Sequence, residues 1–145
     1  MNTYILDACF GGWLLGAILG IDDAGLKRLV TAFYARVRVD AELGPMFGNA
    51  IADWPEYLNK LTAFWSSVML TSGRYKGDPM AVHLKNQARI ATALFDRWLA
   101  LWRQTTDELM LPEAAAALQA KAMRIAESLQ LALFFRPELR SSRTA

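Results

Sequence analysis

Between Leu26 and Val37, the apolar residues Leu26, Leu29, Val30, Phe33, Tyr34 and Val37 recur at the three-and-four spacing that puts them on one face of an α-helix. Lys27, Arg28, Arg36 and Arg38 take positions between them. Asp22 and Asp23 stand where a helix N-cap is wanted, and the pattern ends near Asp40. A helix with so broad an apolar stripe must bury it against other elements.

The same period returns three more times. Asp53 caps a second long helix, with Pro55 tolerated in its first turn; Trp54, Tyr57, Leu58, Leu61, Phe64, Trp65 and Val68 form its apolar face, and it stops at Ser72-Gly73. A third helix is predicted over residues 90 to about 110, with Leu94, Phe95, Trp98, Leu101 and Trp102 inward. Pro112 starts a fourth, whose face includes Leu118, Ala122, Ile125, Leu129 and Leu133 and which ends at Arg136-Pro137. Between the first two, residues 42 to 47 read as a turn or a one-turn helix, since Gly44-Pro45 argues against a long one. After a loop with Gly73, Gly77 and Pro79, Asp78-Pro79 opens a short helical piece containing His83; the polar residues 85 to 88 read as a loop or a fraying turn. Four substantial helices and two short ones imply an all-α chain of two antiparallel pairs packed across each other.

A chain of 145 residues, 54% hydrophobic, is enough for one domain with a real core. Aromatic residues reach 11%, with five tryptophans, and need either a large core or a flat apolar guest. The balance of 16 basic and 14 acidic side chains, with no basic stripe, speaks against a nucleic-acid partner. Arg136, Arg140 and Arg143 fall in what reads as a solvated tail. The lone Cys9 allows no internal disulfide, which suits a reducing, cytoplasmic compartment.

Residues 4 to 21 are apolar apart from Asp7 and carry four glycines. No lysine or arginine precedes them, so the basic region of a signal peptide is missing, and the stretch is a poor membrane span. An apolar arm packed on the domain, or an extension without a fixed role, is favoured over a membrane-associating or cleaved segment. The expected organisation is an arm over 1–21, a helical domain over 22–136 and a disordered tail over 137–145.

His83 is the one imidazole. On spacing alone it reads first as a surface or half-buried residue, and second as a ligand. A single neutral histidine can serve haem iron, because the porphyrin supplies the other four nitrogens. Tyr34 and Tyr57 lie on apolar faces, where a phenol hydroxyl wants a partner. Each could bond a backbone carbonyl; facing one cavity together, they would be donors for a bound anion or gas. Phe33, Phe47, Phe64, Trp65 and Trp98 are core by default, though jointly they suit a flat cofactor. Phosphate-binding glycine loops and the Gly-x-Ser-x-Gly elbow are absent. The acidic pairs Asp22/Asp23 and Asp107/Glu108 read as caps and solvated helix ends.

In order, Phe33-Tyr34-Ala35-Arg36-Val37-Arg38, Leu43-Gly44-Pro45-Met46-Phe47, Trp54, Phe64-Trp65, Arg74-Tyr75-Lys76-Gly77-Asp78-Pro79-Met80, His83-Leu84, Phe95-Asp96-Arg97-Trp98 and Arg124-Ile125-Ala126 resemble the group III truncated haemoglobins of bacteria. The resemblance runs unbroken from about residue 22 to 135. It implies a truncated globin fold of two helices on two and a haem b. The haem would be non-covalent, since no Cys-x-x-Cys-His is present. His83 would be the proximal iron ligand. Tyr34 would donate a hydrogen bond to ligand on the opposite, distal side, and the Trp98 indole N–H would be a second donor there. Phe33, Phe47, Leu61 and Phe64 would wall the haem pocket, with Trp65 behind it. Tyr75 and Lys76 lie where a haem propionate would be met.

Two departures stand out. Tyr57 occupies the distal position where this group often has histidine, so no second imidazole can cap the iron, and Tyr57 becomes a gate or further donor. After His83, relatives tend to carry prolines, whereas this chain reads Lys85-Asn86-Gln87-Ala88-Arg89 and is about one residue longer. The expected function is binding of a diatomic gas (oxygen, nitric oxide or carbon monoxide). The alternatives are nitric oxide dioxygenation or peroxidase-like turnover with an external electron donor, and a haem-free helical interaction domain.

Overall fold

The computed structural model describes residues 19–75, 77 and 92–134. They form five α-helices and no strand: α1 Asp23–Val39, α2 Leu43–Ala50, α3 Trp54–Leu70, α4 Thr92–Leu109 and α5 Pro112–Phe134. The helix α1 packs on α2, α3 and α4, and α4 packs along α5. Two long pairs, α1/α3 and α4/α5, thus meet through α1 and α4, the arrangement that the four apolar stripes predict.

Helix α1 follows its sequence pattern closely. Asp22 caps it through a carboxylate that accepts from the Gly25 N–H at 2.7 Å, and all six stripe residues are buried. Ile21, just before the cap, and Leu26, in the first turn, both enter the main core, as a hydrophobic staple does. Leu19 packs against the same core. Leu19 and Ile21, the end of the stretch that the sequence assigns to an apolar arm, thus lie against the core of the domain; the rest of that stretch lies outside the described residues.

The turn before α3 holds a surprise. Helix α2 runs for eight residues rather than one turn. Pro45 is its third residue, and its missing N–H is one of the four that no helix satisfies internally, so the proline costs the helix nothing there. Gly44 matters for a different reason: a Cβ at this position would fall 2.7 Å from the Arg38 carbonyl oxygen, so glycine lets α2 close onto the end of α1. The Asp40 carboxylate accepts from the Glu42 and Leu43 N–H groups, at 3.1 and 3.0 Å, and caps α2.

Asp53 caps α3 by accepting from the Glu56 N–H at 3.1 Å, and the helix ends at Thr71 in left-handed backbone with φ 53°. Its buried residues are Thr62, Trp65, Ser66 and Met69. Only Trp65 belongs to the predicted face; the other six residues of that face are half-buried. Helices α4 and α5 are pinned by the Trp102 indole N–H, which donates to the Leu118 carbonyl at 3.1 Å. The buried Thr105 and Thr106 hydroxyls return to the Leu101 and Trp102 carbonyls, at 2.7 and 2.9 Å. Every buried polar side-chain atom among the described residues has a partner. No helix among them is long and apolar enough to cross a membrane.

Candidate functional site

The half-buried face of α3 looks into a cavity of about 330 Å³ to which all five helices contribute. Tyr34 comes from α1 and Leu43, Met46 and Phe47 from α2. Helix α3 gives Tyr57, Lys60, Leu61, Phe64 and Trp65, spaced so that successive turns present one wall. Leu94, Phe95 and Trp98 of α4 and Ile125, Ala126 and Leu129 of α5 form the opposite side, with Tyr75 in the loop after α3. Residues packed on an opening rather than on another helix remain partly exposed, which is why Tyr57, Leu61 and Phe64 of the predicted α3 face are only half-buried.

Polarity in this apolar chamber is concentrated in three tyrosines and one lysine. Tyr34 is 3% exposed. Its hydroxyl oxygen accepts hydrogen bonds from the Trp98 indole N–H and the Tyr57 hydroxyl. The Tyr34 and Tyr57 rings stand edge to face, with centroids 5.6 Å apart. Burial pushes the Tyr34 phenol up to about 12, outweighing the two hydrogen bonds that favour its phenolate. Burial also carries Tyr57 well above its ordinary range, reinforced by Tyr34 beside it, by the hydrogen bond to Tyr34 and by Tyr75. Both phenols are therefore protonated at neutral pH. A phenol oxygen that already receives two donors has its own O–H proton left to offer. Tyr75 is held by its backbone N–H, which donates to Ser67 Oγ at 3.0 Å, and by its ring edge-on to Phe64, centroids 5.2 Å apart. Lys60 pairs with Glu56 at 3.4 Å one turn earlier.

An apolar pocket with a few convergent polar groups is the usual form of a cofactor or small-ligand site. Over 118 residues the chain is 30% identical to the group 3 truncated hemoglobin ctb of Campylobacter jejuni, covering 79% of this chain and 92% of that protein. A crystal structure of a group III truncated hemoglobin from Campylobacter jejuni superposes with a TM-score of 0.73 at 30% identity, covering 79% of this chain and 93% of the other. This chain belongs to the group III truncated haemoglobins. No family model matches it.

For a truncated haemoglobin the chamber brings together most of the residues singled out in the sequence. Tyr34, Phe47, Tyr57, Leu61, Phe64, Tyr75 and Trp98 all line it. Trp65, expected behind the wall, is part of it. Phe33 is not among the lining residues. Neighbours on a helix point about 100° apart. When Tyr34 faces the cavity, Phe33 faces α4, fully buried with its ring edge-on to Tyr34, Trp98 and Trp102 at 4.8, 5.4 and 4.9 Å. It supports the wall from behind. Trp98, expected to donate into the cavity, has its N–H engaged by Tyr34. His83 and Lys76 lie outside the described residues. Lys60 was missed, although it sits one turn from Tyr57 and from Phe64 on the same helix face; a charged residue inside an apolar stripe was the available signal.

Proposed function

We propose that this globin binds haem b in the chamber and takes a diatomic gas on the Tyr34 side, with His83 as the proximal ligand. The observation that carries the reading is the buried Tyr34 hydroxyl, held by Trp98 and Tyr57 at the wall of a largely apolar cavity. The residues fit the cofactor by chemistry. Aromatic and aliphatic walls suit a flat porphyrin, and Lys60, near the Tyr75 loop, suits its carboxylates. When bound, haem supplies an iron with one open position for a gas molecule, and His83 is the single strong nitrogen ligand that the sequence offers it.

The chain supplies selectivity. Trp98 and Tyr57 occupy the acceptor positions of Tyr34 and leave its O–H as a pre-oriented donor. A ligand whose outer atom carries partial negative charge, as dioxygen's does, gains from that donor more than carbon monoxide does. The surrounding apolar residues keep competing water low, which strengthens the bond. A helical domain acting only through its surface would have no use for a buried phenol aimed into a chamber.

Absorption spectra of protein purified with haem supplied test this directly. The expected result is an intense Soret band that moves when carbon monoxide is added to the reduced form and is weakened or altered in His83→Ala. Well-folded protein without a Soret band overturns the reading.

A further inference from the structure

The aromatic rings around Tyr34 do not stop at the cavity. The Trp54 centroid lies 6.2 Å from that of Tyr34 and 5.6 Å from that of Tyr57. Trp54 itself is half-buried, outside the cavity lining, with the exposed Arg38 guanidinium 4.5 Å above its ring. A second branch runs inward, where Trp98 stacks on Trp102 and Trp102 on Trp65, at 5.7 and 4.5 Å.

We propose that Trp54 is a surface site at which a small anionic one-electron donor reduces the cavity, through Tyr34 and Tyr57. This rests on the haem reading above and extends it to the consumption of hydroperoxides. Electron tunnelling weakens steeply with distance, so rings in contact offer a short passage from the cavity tyrosines to Trp54.

The protons decide which ring holds the electron hole. An oxidised phenol or indole must shed its O–H or N–H proton. Among the described residues Tyr34 is flanked by two donors and no base, and Trp102 is almost wholly buried with its N–H committed to the Leu118 carbonyl. Trp54 touches the cavity tyrosines from outside the cavity lining and is only partly buried. The guanidinium on its face disfavours a radical cation, so the indole releases its proton with its electron. The same guanidinium attracts an anion. Of the nearby carboxylates, Asp53 caps α3 and Glu56 pairs with Lys60. The reaction balances: a hydroperoxide takes up two electrons and two protons and gives an alcohol and water. Each electron leaves Trp54 singly, with the N–H proton released to solvent, and the donor returns one electron and one proton to the indole.

The test uses the haem-loaded protein, hydrogen peroxide, and ascorbate as the anionic donor, with neutral guaiacol for comparison. Samples frozen after peroxide addition are expected to show an electron paramagnetic resonance signal that changes with indole deuteration. In Trp54→Phe that tryptophan signal is lost and ascorbate oxidation falls several-fold. In Arg38→Gln the signal stays, and oxidation of ascorbate falls more than that of guaiacol. The carbon monoxide spectrum stays at the parent position in both variants, which separates this proposal from the haem reading. A parent-like radical signal and ascorbate rate in Trp54→Phe, or no tryptophan radical in the loaded parent, overturns the assignment of Trp54. Absence of a Soret band overturns both readings together.

Discussion

Trp65 and Trp102 lie face to face, their ring centroids 4.5 Å apart and their planes 18° from parallel. One comes from α3 and the other from α4, so this contact ties the α1/α3 pair to the α4/α5 pair. Both rings are almost wholly buried, at 2% and 1% exposure, and Phe33 closes on Trp102 edge-on. Trp102→Ala is expected to cost roughly 3–5 kcal/mol, the usual range for removing a buried aromatic ring. Urea unfolding measures it. A loss below about 1 kcal/mol would show that the helix pairs are held together elsewhere.

Tyr34→Phe should speed oxygen dissociation from the haem-loaded protein. One net hydrogen bond is worth about 0.5–1.5 kcal/mol, roughly a factor of two to twelve if it is expressed wholly in the off-rate. Tyr57→Phe should act in the same direction and less, because it frees an acceptor position on Tyr34 without removing the Tyr34 proton. Stopped-flow displacement of oxygen by carbon monoxide gives both rates. An off-rate unchanged by Tyr34→Phe would remove this residue from the ligand's surroundings.

Tyr34 also gives the protein an alkaline limit. Its folded-state value of about 12 lies above the ordinary 10.0. From about pH 10 upward the unfolded chain loses this proton while the folded chain keeps it, so stability falls as pH rises toward 12. The shift corresponds to roughly 2–3 kcal/mol across that window. Denaturant midpoints measured from pH 9 to 11.5 should decline more gently in Tyr34→Phe than in the parent. Equal slopes would mean that Tyr34 already titrates normally in the folded protein.

The acid side depends on Asp40. Arg97 beside it, at 2.7–2.8 Å, and the N–H groups of Leu43 and Glu42 hold its carboxyl below the ordinary 3.8. A depressed folded value contributes stability above the unfolded one, and this is lost as pH falls through and below 3.8. Asp40→Asn should therefore lower stability at neutral pH and flatten the acid end of the profile. Thermal melts between pH 2.5 and 7 read both effects, and a steep acid limb retained in the variant would place the responsible carboxylate elsewhere.

At the end of α3, Thr71 holds left-handed backbone that a β-branched residue adopts reluctantly. Thr71→Gly should raise stability by about 1 kcal/mol, the steric cost relieved at such a position. A lower melting temperature would show that the threonine side chain gives more than its backbone costs.

The local signals were legible because they are local. Asp22 and Asp53 announce their helices through side chains that reach the backbone three residues on, and the α1 stripe lies all on one side because its partners cover that side. The α2 helix was underestimated at Gly44-Pro45, where sequence cannot distinguish a proline that breaks a helix from one seated in its first turn. Among the site residues, Tyr34, Tyr57 and Trp98 could be named individually, and the resemblance to a known family gave them a common place.

What the sequence determined by itself is the set of amphipathic helices, their order and their caps, since periodicity and capping depend on neighbours a few residues apart. Tertiary structure alone decided which part of each apolar face meets another helix and which faces an opening. Packing separated Trp65 from Tyr57, Leu61 and Phe64 in degree of burial on α3, and turned Phe33 away from the chamber while leaving Tyr34 in it. It also joined Trp98 and Tyr57 to one phenol oxygen. Those distinctions are made between residues dozens of positions apart, where the spacing along one helix carries no information about what the next helix brings.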